Sequence, residues 1–194
     1  MSKGAGVPSP PVAAWDERQR RFEEVYLTYR GSILGYVLRR TENPDDAADI
    51  IAETFLTAWR RLEDVPCDAE ARLWLYGVAR RVLANHHRGA RRRSALTERL
   101  RADLAIGYRP PEFDDGQAQI AEAFRCLPPA ERELLTLSAW EGLDYGQIAV
   151  VLGCSRNAVR LRLFRARKRF AGELASCQTR SAHPGVHVTN GGLA

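Results

Sequence analysis

The sequence contains no run of 18 consecutive apolar residues, and its first 15 lack the apolar core of a signal peptide. Neither a membrane span nor secretion is expected, and a cytoplasmic protein is. Cysteine is sparse: Cys67, Cys126, Cys154 and Cys177 lie far apart with no CxxC pair, so four reduced thiols are expected rather than a metal clip or a redox dithiol. There is no stretch of strand-like alternation, which points to an all-α fold. No GxSxG elbow, P-loop or HExxH occurs, so the chain is not predicted to be an enzyme, and no catalytic residue, metal, cofactor or small-molecule substrate is expected. His86 and His87 are neighbours, but adjacent helical positions point about 100° apart and no acid or cysteine pair joins them.

What is present is arginine. Of 29 basic residues only Lys3 and Lys168 are lysine. The stretch from Arg72 to Arg101 carries +8 and that from Arg156 to Arg169 carries +7, against +5 for the whole chain, so everything else carries −10. Two basic blocks in an otherwise acidic protein suit a polyanion, and arginine's planar fork matches phosphates and guanine edges. Hydrophobic residues make up 45% of the 194 and charged ones 27%, enough apolar content for one ordinary domain or two small ones.

Punctuation favours two small helical domains joined by a flexible linker. Residues 1–15 are rich in Gly, Pro and Ser and read as a disordered arm. Between Arg21 and Arg40, Phe22, Val25, Tyr26, Tyr29, Ile33, Tyr36 and Val37 keep helical spacing. Asn43-Pro44-Asp45-Asp46 opens a second helix with Ala48, Ile51, Ala52, Phe55, Leu56 and Trp59 as its expected buried stripe. A loop from Glu63 to Glu70 precedes a third helix with Leu75, Val78, Ala79, Val82 and Leu83 inward. The first domain is thus 16–94. Residues 95–117, with Pro110-Pro111 and an acidic patch, read as linker. The second domain covers 118–175, and 176–194 read as a disordered tail.

Two segments carry the functional signal. Asp144 to Val159 has the layout of a helix-turn-helix: Ile148, Ala149 and Leu152 face inward, Gly153 permits the turn, and Ser155 caps the next helix. On that helix Val159, Leu163, Ala166 and Phe170 fall within about 60°. Ser155, Arg156, Asn157, Arg160, Leu161, Phe164 and Arg165 are left to meet duplex DNA, where Arg and Asn read base edges and Leu161 can touch a thymine methyl. The other segment, Trp74, Tyr76, Arg80, Arg81, Asn85 and Arg88, interleaves rings with cations, a pattern suited to stacking unpaired bases; for Trp74 and Tyr76 taken individually, core packing is the expected fate, since both adjoin the apolar stripe. Asp45, Asp46, Asp49 and Glu53 recur at spacings that make a negative strip, although the helix N-terminus alone accounts for the first two.

These features, in this order, resemble the extracytoplasmic-function group of bacterial sigma-70 factors, which contain only the second and fourth sigma domains. Asp46-Ala47-Ala48-Asp49-Ile50-Ile51-Ala52-Glu53-Thr54-Phe55-Leu56-Thr57-Ala58-Trp59 is similar to the D-A-E-D-x-x-Q-E-T-F-x-x-x-W signature, with Ala52 in place of Gln. Trp74-Leu75-Tyr76 through Arg88 is similar to the W-L-Y-x-x-A-R-N segment implicated in melting and reading the minus-10 element, with Arg81 where Asn is common. Leu127-Pro128-Pro129-Ala130-Glu131-Arg132-Glu133 and the helix-turn-helix are similar to the fourth domain, with Leu161 replacing a common Ser and Asn157-Ala158 replacing Gly-Thr. The resemblance implies a sigma-2-like helical bundle and a sigma-4-like domain, and core RNA polymerase as partner through the clamp of its β′ subunit and the flap of its β subunit. It implies promoter DNA, duplex and single-stranded, as the ligand, an anti-sigma factor as inhibitor, and a base-holding pocket in the loop from Asp64 to Glu70. From the residues alone a dimeric helix-turn-helix regulator of duplex DNA remains the alternative.

Overall fold

The computed structural model describes residues 12–41, 43–101 and 115–182. They form α1 (Val12–Leu38), α2 (Pro44–Arg60), a 3-10 turn (Leu62–Asp64), α3 (Glu70–Arg101), α4 (Asp115–Cys126), α5 (Pro129–Ala139), α6 (Tyr145–Leu152) and α7 (Arg156–Ala182), with no strand among the described residues. The chain divides after Leu104 into two compact units, the first built from α1 to α3 and the second from α4 to α7. The all-α expectation holds.

In the first unit all three helices pack on one another. Asn43 starts α2: its side-chain oxygen accepts from the Asp45 amide at 3.0 Å, and Pro44 supplies a preset φ at the first turn. The buried side of α2 is not the stripe expected from apolar spacing. Ala47, Ile50, Thr54, Phe55 and Ala58 are buried, whereas Ala48, Ala52 and Leu56 are exposed. The helix is turned because α1 and α3 both pack against it and because Thr54 enters the core, its hydroxyl donating to the Ile50 carbonyl at 2.7 Å. A hydroxyl satisfied within its own helix no longer carries the cost of an unpaired polar group. On α1, Val25, Ile33, Tyr36 and Val37 are buried as expected, while Tyr26 is exposed.

In the second unit α4, α5 and α6 each pack on α7. Val159, Leu163 and Ala166 are fully buried, and Phe170 is half-buried with its ring 6.3 Å from that of Phe124. Leu127, Leu137 and Ile148 complete the centre.

Helix ends depart from the expected limits. α3 runs past residue 94 to Arg101, because nothing between Ser94 and Arg101 is a helix breaker and Ala, Leu, Glu and Arg favour continuation. α7 runs through the start of the expected tail to Ala182, with Cys177 buried; no proline interrupts it before Pro184. α1 begins at Val12, inside the expected arm. The expected arm's residues 1–11, linker residues 102–114 and tail residues 183–194 lie outside the described residues.

Leu163 and Leu161 separate core from surface on one helix. Leu163→Ala is expected to lower unfolding free energy by about 2–5 kcal/mol. Leu161→Ala, at a half-exposed position, is expected to stay within roughly 0.5 kcal/mol. Urea unfolding followed by circular dichroism measures both.

Candidate nucleic-acid interface

Local chemistry fixes the helix-turn-helix. The Asp144 carboxylate accepts from the Gly146 and Gln147 amides at 2.6 and 2.9 Å, and the Gln147 side chain accepts from the Asp144 amide at 3.0 Å. This reciprocal cap satisfies donors at the start of α6. The backbone donors of Gln147 and then Gly146, helped by the charge of Arg156, hold the Asp144 carboxyl below its ordinary value against a small opposing burial effect. Gly153 ends α6 with φ of 64°, a left-handed turn that glycine adopts without strain. The Ser155 hydroxyl then accepts from the Ala158 amide at 3.2 Å to begin α7.

With Val159, Leu163 and Ala166 committed to the core, the opposite side of α7 faces solvent. Asn157, Arg160, Leu161, Phe164 and Arg165 are all exposed, Phe164 at 69% and Leu161 at 51%. Arg156 is exposed at the helix start. Lys168 belongs to the same outward side and is exposed; it lies one turn beyond Phe164 and within about 20° of Leu161 at 100° per residue, a position that the repeat itself could have revealed. Not every cation of the block points outward for use. Arg167 donates to the Ser138 hydroxyl at 3.3 Å and reaches the Tyr145 hydroxyl at 3.5 Å, and Arg169 pairs with Glu131 at 3.3 Å. Both tie α7 to its own domain.

In the first unit the predicted ring-and-cation segment is divided by the helix. Trp74, Arg81, Asn85 and Arg88 fall within about 60° of one another around α3. Trp74 is half-buried, the other three are exposed, and Arg88 donates to the Asn85 side chain. The Arg61 guanidinium lies over the Trp74 ring, 5.9 Å from its centre. Tyr76 points elsewhere and takes the core fate expected of it individually, which corrects its inclusion among the strand-binding residues: it is 2% exposed, with its ring 4.9 Å from that of Tyr36. A ring enclosed between helices has no face to offer a base. Two positions from Trp74 is about 200° of rotation, which is the physical reason the two rings part. Arg80 is exposed on a neighbouring flank.

The acidic residues start α2. Asp45, Asp49 and Glu53 are exposed, and Asp46 is half-buried with its carboxylate 3.4 Å from the His86 ring. Asp49, Glu53 and Leu56 of α2 face Arg81, Asn85 and His86 of α3 across an open groove of about 820 Å³. Two carboxylates thus stand on one wall and the Arg81 guanidinium on the other.

The sequence reading missed the residues that shape the loop from Asp64 to Glu70. Arg21 donates to the Val65 carbonyl at 2.8 Å, and the Tyr29 hydroxyl to the Asp68 carbonyl at 2.7 Å. Arg18 donates to the Trp59 carbonyl at 2.5 Å and pairs with Glu63 at 3.2 Å. Asp68 holds a left-handed φ of 58°, a conformation that Asp tolerates better than most residues. Arginine on a predicted surface helix gives no periodic signal for such contacts. Among the described residues no group of three His, Cys, Asp or Glu side chains could hold a metal, and no helix is long and apolar enough to cross a membrane.

Trp74→Ala is expected to leave the fold within about 1 kcal/mol, whereas Tyr76→Ala removes a core ring at about 3–5 kcal/mol; urea unfolding distinguishes them. The depressed Asp144 carboxyl contributes stability that is fully present above its unfolded value of about 4 and is lost as pH falls through its lower folded value. The unfolding midpoint of Asp144→Asn is therefore expected to change less than that of the unaltered chain between pH 5 and pH 3.

Comparison with known proteins gives two family matches, "Sigma-70 region 2" over residues 25–93 and "Sigma-70, region 4" over residues 117–170. RNA polymerase sigma-H factor of Pseudomonas aeruginosa is 33% identical over 162 residues, covering 77% of this chain and 84% of that protein. ECF RNA polymerase sigma factor SigL of Mycobacterium tuberculosis is 31% identical over 142 residues, covering 72% and 80%. In fold, the chain is similar to CnrH, solved in complex with the cytosolic domain of CnrY, with a TM-score of 0.58 at 24% identity, covering 81% of this chain and 90% of that one. It is equally similar to the sigma factor RpoE in complex with the anti-sigma factor NepR from Bartonella quintana, with a TM-score of 0.58 at 20% identity, covering 79% and 96%.

Proposed function

Since the chain belongs to the extracytoplasmic-function group of sigma-70 transcription initiation factors, we propose that it binds core RNA polymerase through α2, reads duplex promoter DNA through α7, and captures the opened strand along α3. Asp45, Asp46, Asp49 and Glu53 supply the polymerase contact at the β′ clamp, and the second unit meets the flap of the β subunit. Ser155, Arg156, Asn157, Arg160, Leu161, Phe164 and Arg165 meet the minus-35 duplex, Ser155 chiefly as the cap that sets the helix start. Trp74, Arg80, Arg81, Asn85 and Arg88 meet the minus-10 strand, with Tyr76 holding α3 in place behind them.

One observation carries this reading: a single chain exposes two surfaces rich in arginine but of different chemistry, one in each unit. α7 offers cations and an amide around an apolar centre, which suits base edges in a major groove. α3 offers one aromatic face in line with Arg81, Asn85 and Arg88, which suits an unpaired strand whose bases stack while its phosphates are held. A dimeric regulator of duplex DNA has no use for the second surface.

The mechanism is differential binding. Engagement of the upstream duplex and of polymerase fixes the chain over the promoter. Separated bases that stack or enter the loop from Asp64 to Glu70 then offset an unstacking cost of a few kcal/mol per flipped base. Bond-making belongs to the polymerase; this chain supplies promoter choice. The neighbours in fold were solved with the cytosolic domain of CnrY and with the anti-sigma factor NepR, and an anti-sigma protein is the corresponding regulator proposed here.

Run-off transcription tests the reading. Core polymerase with the chain is expected to give discrete transcripts from a subset of source-genome fragments that core alone does not give; identical output with and without folded chain overturns it. Asp49→Lys with Glu53→Lys is expected to weaken core association on the order of 100-fold, with helical content unchanged. Arg160→Ala is expected to cost about 1–3 kcal/mol at the upstream element.

A further inference from the structure

The outward side of α7 has an apolar centre that nothing in a merely solvated helix requires. Leu161 and Phe164 are 51% and 69% exposed, stand three positions apart, and lie within about 60° of each other around the helix. Asn157 precedes Leu161 by one turn and Arg165 follows it by one turn, while Arg160 and Lys168 flank Phe164 in the same way. All four are exposed, and no acid occurs between Arg156 and Arg169. The apolar pair is therefore ringed by donors suited to phosphates and base edges, which favours a polyanion over a neutral or basic surface and fits the DNA ligand of the functional reading.

Resting on the reading of α7 as the duplex-reading helix, we infer that Leu161 and Phe164 together form a receptor for the C5-methyl group of a pyrimidine in the major groove of the upstream element. Neither side chain donates or accepts a hydrogen bond. Set against guanine, adenine or the cytosine amino group, they would strip water from a polar edge and return nothing. The one apolar feature of the major-groove floor is a C5-methyl group. That group has two sources, thymine and 5-methylcytosine, so the same receptor makes promoter choice responsive to cytosine methylation.

The test uses holoenzyme reconstituted from the full chain and core RNA polymerase. A randomised duplex library yields the preferred upstream sequence, which is then synthesised with thymine, uracil, cytosine or 5-methylcytosine at each pyrimidine in turn. At one or two positions, loss of the methyl from thymine is expected to weaken binding about fourfold, the size of one methyl group removed from contact. Leu161→Ala or Phe164→Ala is expected to abolish that difference; both positions are exposed, so neither change disturbs the core. A matching gain on methylating cytosine extends the receptor to 5-methylcytosine, and its absence confines the receptor to thymine; either result supports a methyl contact. Equal binding of thymine and uracil duplexes at every position overturns the inference while leaving the holoenzyme's promoter choice intact. So does a methyl preference that both variants retain. Failure to form a holoenzyme, or to select any sequence, instead overturns the functional reading beneath it.

Discussion

A helix that packs along one side must present the other, and α7 shows how much follows from that constraint. Val159, Leu163 and Ala166 are fully buried, and α4, α5 and α6 all pack on this one helix. Once those three residues are inside, the rotation of the helix is fixed, and with it the identity of every residue that faces away. Asn157, Leu161, Phe164, Arg165 and Lys168 are outward because there is no other side for them to occupy. The helix is further anchored by Arg167 on Ser138 and Arg169 on Glu131. Part of the basic block thus braces the helix against its own domain, and the remainder stays exposed.

The first unit applies the same rule to α3. Tyr76 and Leu75 go inward, and the line from Trp74 through Arg81 and Asn85 to Arg88 turns away from them. The loop before α3 is built differently. Its carbonyls at Val65 and Asp68 receive donors from Arg21 and Tyr29 of α1, so a segment without regular hydrogen bonding is held by side chains from a distant helix. Satisfied backbone acceptors give a loop a defined shape.

Charge is divided between elements rather than averaged over the surface. The exposed carboxylates of α2 stand across a groove from Arg81, Asn85 and His86 of α3. A polyanion is repelled by the carboxylates of α2 and attracted by Arg81. Dense arginine implies that affinity for DNA falls steeply with salt, since each phosphate contact releases counterions.

The start of α2 at Asn43-Pro44, the turn at Gly153, the cap at Ser155 and the outward side of α7 were legible in the amino-acid sequence. Each depends on residues within one or two turns of one another, and short-range hydrogen bonding and the 3.6-residue repeat suffice to define them. The rotation of α2 was not legible, because Thr54 counts as polar until its hydroxyl is seen to bond to Ile50, and because two neighbouring helices compete for its sides. The fate of Tyr76 against Trp74 needed Tyr36, forty residues away, to close over one ring and not the other. The loop clamps of Arg18, Arg21 and Tyr29 likewise reach about forty positions along the chain. Sequence alone determined which elements exist and how they begin; tertiary packing decided which side each one shows, because burial is a property of what stands opposite, and no local pattern records that.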